Sequence, residues 1–134
     1  MLRRAVIVPA CLAVLLTVGV AATQSMAPAI KSHHLINLPD SVSDGDVAAA
    51  LSEVNSAIAE IGYPDAGYRL WKVTGEQSGE YMHIWEGNWP NWEAYRSIHD
   101  HPAFLAAMGS NESVFRVLTE TQVYNRFVEV PIGN

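Results

Sequence analysis

The sequence predicts an α+β domain in which four antiparallel strands carry helices on one face. Three observations lead there. Residues 46–61 bear a single apolar stripe at three- and four-residue spacing. Short stretches on either side of it alternate in polarity or are rich in aromatic and β-branched residues. The order of these elements is β-α-β-β-α-β, and two right-handed crossovers around a hairpin close such an order into one sheet. A chain of 134 residues has room for one domain of this kind.

The N-terminus reads as an address. Arg3 and Arg4 precede an uncharged run from Ala5 to Val20, and Val20-Ala21-Ala22 offers a small-residue cleavage site before Thr23. That is the pattern of a secretory signal peptide over residues 1–22. The run holds 16 residues and contains Pro9 and Gly19, so it is short for a membrane span, though a retained anchor is the alternative. Val8-Pro9-Ala10-Cys11 comes too early for a lipoprotein box. The expected localisation is periplasmic or secreted, with no membrane partner after cleavage.

Cleavage changes the composition. Removing 22 of 134 residues leaves 112. Loss of Arg3 and Arg4 moves the net charge from −6 to −8, and the only cysteine, Cys11, leaves with the leader. Disulfides, thiolate nucleophiles and cysteine-ligated metals are then excluded from the mature chain. An acidic chain without a basic patch also excludes nucleic acid as a partner.

Residues 23–32, a small-residue stretch of Ala, Ser, Pro and Met, read as a flexible tether; the domain spans 33–130, with 131–134 a tail. His33–Leu38 alternates and stops at Pro39, which predicts the first strand. Ser43 or Asp44 can cap the helix expected over Asp46–Ile61, whose stripe is Val47, Ala50, Leu51, Val54, Ile58 and Ile61. Gly62 stands where a left-handed C-cap belongs, and Pro64 prevents continuation. Gly67–Val73 predicts a strand with Tyr68, Leu70 and Lys72 on one side. Thr74–Gly79 is its hairpin loop, and Glu80–Glu86 returns with Tyr81, His83 and Trp85 on one side. Gly87–Pro90 reads as a turn. Asn91 can cap a helix from Trp92, in which Pro102 either starts a new segment or makes a kink. Ser110 can cap a short helix to Leu118, and Thr121–Val130 alternates as the last strand.

This arrangement is ferredoxin-like. Its second sheet face, if it carries tyrosines and tryptophans, needs cover, most simply from a second copy. The stretch Tyr81–Tyr95, YMHIWEGNWPNWEAY, followed by His101-Pro102-Ala103-Phe104, resembles the dimeric α+β barrel superfamily, in particular its antibiotic-biosynthesis-monooxygenase-like members. The resemblance covers most of residues 33–130. It implies a homodimer whose sheets pair into a barrel, and a pocket between sheet and helices in each subunit.

Candidates to line that pocket are Tyr68, His83, Trp85, Trp92, Tyr95, His99 and Tyr124. Their rings and polar tips suit a small flat organic ligand. His83 and His99 are the candidate bases, since imidazole exchanges protons near neutral pH. His99-Asp100-His101 and His33-His34 have the wrong spacing for a metal site, because neighbours at those intervals diverge on a helix or strand. Haem-degrading relatives carry an Asn on the first strand, then Trp, a Phe six residues on and a His four beyond it. Asn37 fits, but with Phe104 as the shared position Ile98 and Met108 occupy the Trp and His places. The resemblance therefore disfavours haem degradation, and no cofactor is expected. Three readings of function follow: a small-ligand binding protein, a cofactor-independent monooxygenase-like enzyme acting on an aromatic or quinone-type substrate, and a non-catalytic dimeric interaction module.

Overall fold

Strand β1 (Ile30–Ile36) runs through the middle of the sheet, paired on both edges. After it come α1 (Asp44–Glu60), β2 (Gly67–Lys72), a 3₁₀ turn at Glu76–Gly79, β3 (His83–Trp89), α2 (Trp92–His99), α3 (Pro102–Ser110), α4 (Glu112–Thr119) and β4 (Val123–Val128). The strands lie in the order β2-β3-β1-β4, each antiparallel to its neighbours. This computed structural model describes residues 27–132. The signal peptide expected over residues 1–22 lies outside the described residues.

Helix α1 forms where the apolar stripe predicts and buries Val47, Ala50, Leu51, Val54 and Ile58 against the sheet. Each of the buried Val, Leu and Ile side chains contributes about 1.5–3 kcal/mol through the apolar surface it withdraws from water. A capping box fixes the start: the Asp46 amide donates to Ser43 Oγ, and the Ser43 amide donates to Asp46 Oδ2 at 2.8 Å. At the other end Gly62 adopts φ +107°. Its amide donates to the Ala59 carbonyl and that of Tyr63 to the Ile58 carbonyl, a Schellman closure.

The second helical region divides at Pro102. Asn91 Oδ1 caps α2 by accepting from the Ala94 amide. Asp100 and His101 break the helix, and Pro102 opens α3 at a position that needs no amide hydrogen. Ser110 does not cap α4: its hydroxyl donates back to the Ala106 carbonyl. The residue before α4 is Asn111, whose side chain donates instead to Glu53 Oε2 and the Ala107 carbonyl.

The strands depart from expectation at their ends. β1 begins at Ile30, inside the expected tether, because Ile30 pairs with Trp89 and is fully buried. β3 starts at His83 and not at Glu80, and it continues through Gly87, Asn88 and Trp89, where a turn was expected. Gly87 is there for close packing rather than for a turn. A Cβ at that position would lie 2.4 Å from Ser32 Oγ and 2.7 Å from the Trp89 ring. The hairpin connection is longer than the expected Thr74–Gly79, running over residues 73–82, and the last strand is shorter than the expected Thr121–Val130.

Alternation sorts the side chains by face. Ile30, Ser32, His34 and Ile36 of β1 share the helix side with His83, Trp85 and Trp89 of β3 and with Tyr68 of β2. The opposite face carries Leu35, Ile84, Trp71, Val123 and Phe127. Of these, Trp71 and Phe127 are about half exposed, at 48% and 47%. The tyrosines and tryptophans expected to make that face sticky are thus mostly under the helices, and Trp71 is the exception. Glu86 sits among these apolar residues, accepting from Asn88 Nδ2 at 2.8 Å and lying 3.2 Å from His33 Nε2 and 3.5 Å from Lys31 Nζ. Burial raises its pKa, but the Asn88 bond and the charges of Lys31 and His33 outweigh that and hold the carboxyl below its usual range.

Gly87→Ala is expected to lower stability by roughly 1–3 kcal/mol through overpacking against Ser32 and Trp89. Gly75→Ala, where a Cβ meets nothing within 4 Å, is expected to change it by less than about 0.5 kcal/mol. Urea denaturation midpoints of the two variants measure the contrast, and equal effects would refute the close-packing role of Gly87.

Candidate functional site

Between the sheet and helices α2–α4 lies a cavity of about 410 Å³. Its floor is built from β1 (Ser32, His34), β3 (Trp85) and β4 (Tyr124, Arg126), with Tyr68 of β2 at the side. Tyr95 and His99 reach in from α2, Phe104 and Met108 from α3, and Thr119 and Gln122 close the α4 end. A shallow depression of about 510 Å³ runs along α1 and β2, but its lining includes no imidazole, carboxylate or guanidinium. Ionisable groups converge in the first cavity, so the chemistry belongs there.

His34 is placed by the register of β1. It pairs with Trp85 on one side and Tyr124 on the other, so all three project to the same face. Its ring stacks on Trp85 with centroids 4.1 Å apart and leans on Tyr124 at 4.6 Å. His34 Nδ1 donates to Gln122 Oε1, which assigns the proton to that nitrogen and leaves Nε2 with a lone pair. Burial lowers its pKa, the Gln122 bond partly offsets this, and the nearby imidazoles of His33 and His99 lower it further.

His99 is held as firmly from the helix side. Its Nδ1 donates to the Tyr95 carbonyl at 2.7 Å, and its Nε2 accepts from the Tyr68 hydroxyl at 3.3 Å. Its ring stacks on Tyr95 at 4.0 Å, meets Trp89 edge-on at 4.7 Å and lies tilted against Phe104 at 4.7 Å. Burial lowers its pKa too, with partial offsets from the Tyr95 carbonyl and Asp100. Burial drives the Tyr68 phenol well above its ordinary range, so its hydroxyl stays a donor. Tyr124 is pushed up to about 12, first by burial and then by its hydrogen bond with Tyr95, against the pull of Arg126. The indole N–H of Trp85 is buried with no acceptor among the described residues. The cavity therefore presents one free imidazole lone pair, several hydroxyl donors and one guanidinium, within aromatic walls. Such a set can bind a flat molecule, accept a proton from it and stabilise negative charge that develops on it.

Of the residues expected to line the pocket, Tyr68, Trp85, Tyr95, His99 and Tyr124 do so. Trp92 stands at the rim, 40% exposed, with the Arg126 guanidinium 5.2 Å from its ring. His83 is not at the cavity. It is buried beneath the start of α1, with Nε2 3.1 Å from Asp44 Oδ1 but off the hydrogen-bonding direction. Its face is shared with Trp85, yet two residues along a strand carry it away from the pocket. His34, Gln122 and Arg126 were not anticipated. Their signal is the cross-strand register, which a single chain's alternation does not reveal.

The histidine pairs separate as their spacing requires. His33 faces Glu86 on the open side while His34 faces the cavity. His99 lies in the cavity wall while His101 is exposed and caps α3 through its bond from the Ala103 amide. Among the described residues no group of three or more His, Cys, Asp or Glu side chains could hold a metal ion. Asn37, the one position matching the haem-degrading pattern, is engaged elsewhere: Nδ2 donates to the Glu80 carbonyl and Oδ1 accepts from the Met82 amide. Ile98 is fully buried core, whereas Met108 does border the cavity.

No protein-family model matches the chain, and no curated protein does. Solved structures do resemble it. A dimeric ferredoxin-like protein of unknown function from Thermobifida fusca is 17% identical, covering 77% of this chain and 92% of that one, with a TM-score of 0.53. The hydroxynitrile lyase of Passiflora edulis is 10% identical, with coverage of 81% and 99% and a TM-score of 0.57. A protein from Arabidopsis thaliana is 16% identical, with coverage of 78% and 99% and a TM-score of 0.57. Sheet order and these likenesses establish the ferredoxin-like α+β fold. The site must be read from its own residues.

The lowered imidazole pKa values make stability depend on pH. Folded His34 and His99 bind protons less readily than in the unfolded chain, where the ordinary value is 6.5. Their contribution is therefore complete above about pH 6.5 and is lost as pH falls through the lower folded values. Replacing both, as His34→Gln with His99→Gln, is expected to flatten the fall in denaturation midpoint between about pH 7 and pH 5. An unchanged slope would exclude these two groups as its source.

Proposed function

We propose that this is an exported homodimer whose sheet–helix cavity binds a small, flat organic ligand. The observation that carries the ligand reading is the convergence of His34, His99 and three tyrosines in one aromatic cavity of about 410 Å³. That volume lies within the usual range of small-molecule sites, and an apolar wall with few polar tips is their usual make-up. The imidazole lone pair of His34 gives the pocket a base for proton transfer to or from the ligand, so this reading extends to an enzyme without requiring one.

The homodimer reading rests on the open sheet face. Trp71, Val123 and Phe127 are exposed together, beside half-buried Leu35 and Ile84. An isologous contact would cover this face with its own copy. The similar protein from Thermobifida fusca is described as dimeric. The export reading rests on the positive start, apolar run and small-residue site of residues 1–22.

Two measurements test this reading. Titration with flat bicyclic aromatics, followed by quenching of tryptophan fluorescence, is expected to saturate with wild-type protein. Met108→Trp, which fills the cavity, is expected to weaken binding at least tenfold with the fold intact by circular dichroism. Binding that ignores this substitution would move the ligand out of the cavity. Native mass spectrometry of the full chain expressed in a bacterial host is expected to find a dimer of 112-residue chains beginning at Thr23, once 22 of 134 residues are removed. Trp71→Glu with Phe127→Glu is expected to give monomer. Monomeric wild type, or an intact leader, would overturn the corresponding part.

A further inference from the structure

We propose that the ligand of this cavity is an anion, a flat aromatic or conjugated acid whose carboxylate, phenolate or enolate oxygen is held by Arg126. The inference rests on the ligand-binding reading above and narrows it to a chemical class. Arg126 is the only residue of the lining with a permanent charge, and none of the 14 Asp and Glu residues lines the cavity. The chain as a whole carries −6, so an exposed cation at the mouth of an aromatic cavity, with no acid in the lining, runs against the composition. Burial keeps His34 and His99 below their ordinary pKa, so neither imidazole rivals the guanidinium near neutral pH.

The guanidinium is oriented yet unpaired. Its carbon lies 5.2, 5.9 and 5.7 Å from the ring centroids of Trp92, Tyr95 and Tyr124. Cation–π contact engages the flat face of guanidinium or ring and fixes the side chain's position. It does not satisfy the N–H groups. Among the described residues no carboxylate lies within 4 Å of Arg126 and no acceptor takes its hydrogen bonds, whereas Arg116 pairs with Glu120 at 3.1 Å and Lys31 meets Glu86 at 3.5 Å. A planar fork of donors held by three rings at a cavity mouth matches a two-oxygen acceptor bidentately. A ligand with its acid on Arg126 places its flat body between the aromatic walls, towards the Nε2 lone pair of His34.

Isothermal titration calorimetry with 2-naphthoate and its neutral isostere 2-naphthamide tests the inference. Wild-type protein is expected to bind the acid at least tenfold more tightly than the amide, with the difference shrinking as salt is added. Arg126→Gln is expected to bring the acid down to the amide's affinity and leave the amide unchanged. Arg126→Lys, which keeps the charge and loses the fork, is expected to fall between. Equal wild-type affinities for the two probes, or discrimination that survives Arg126→Gln, would overturn the anion assignment while the pocket stands. Failure of both probes to bind at millimolar concentration would overturn the pocket reading and this inference together.

Discussion

The cavity depends on a single strand pairing. β1 is hydrogen-bonded on both edges, and at His34 it sits opposite Trp85 of β3 and Tyr124 of β4. Side chains alternate with period two along a strand, so a slip of one residue in either ladder would send one of the three rings to the other face. The register is held by burial at the ends of the same strand. Ile30 and Ile36 are fully enclosed, and Ser32 is covered by Trp89 and by Arg126's strand. The apolar core that stabilises the sheet is therefore also what aims the imidazole.

The two faces of the sheet solve different problems. Under the helices, aromatic rings are stacked around one another, and the two imidazoles have named partners: Gln122 for His34, the Tyr95 carbonyl and Tyr68 hydroxyl for His99. Each imidazole is thereby both packed and hydrogen-bonded. On the open face, Glu86 gathers Asn88, His33 and Lys31 within a field of apolar side chains. One residue of β1 separates the two environments, since His33 belongs to the polar cluster and His34 to the cavity. Adjacent histidines that could not share a metal instead serve opposite faces.

Arg126 joins the cavity to the edge of the sheet. β4 is exposed along its whole length, and its alternation puts Tyr124 and Arg126 on the cavity side while Val123 and Phe127 face away. Trp92, at the first turn of α2, and Tyr95, one turn on, supply two of the rings that hold the guanidinium. The start of α2 is in turn set by Asn91. A helix cap and an edge strand, far apart in the chain, thus meet at the mouth of the pocket.

Most chemistry that acts over a few residues was legible, Ser110 being an exception that does not cap α4. Ser43, Gly62, Asn91 and Pro102 mark helix ends through backbone groups beside them in sequence, and the structure uses each as its chemistry suggests. The α1 stripe predicted its buried face for the same reason. Tyr68, Trp85, Tyr95, His99 and Tyr124 could be placed at a sheet–helix pocket because the resemblance carried by Tyr81–Tyr95 and His101–Phe104 implies a pocket there. What the tertiary structure alone decided is how those faces align. Gly87-Asn88-Trp89-Pro90 has the composition of a turn, but Ser32 and the Trp89 ring close over Gly87 and keep it in the strand. His83 shares a face with Trp85 and still falls outside the cavity. His34, Gln122 and Arg126 meet only through pairings between strands more than 80 residues apart, as the His34–Gln122 bond shows. Period and caps are properties of a segment, whereas register is a property of two segments, and a site assembled across a sheet needs the second.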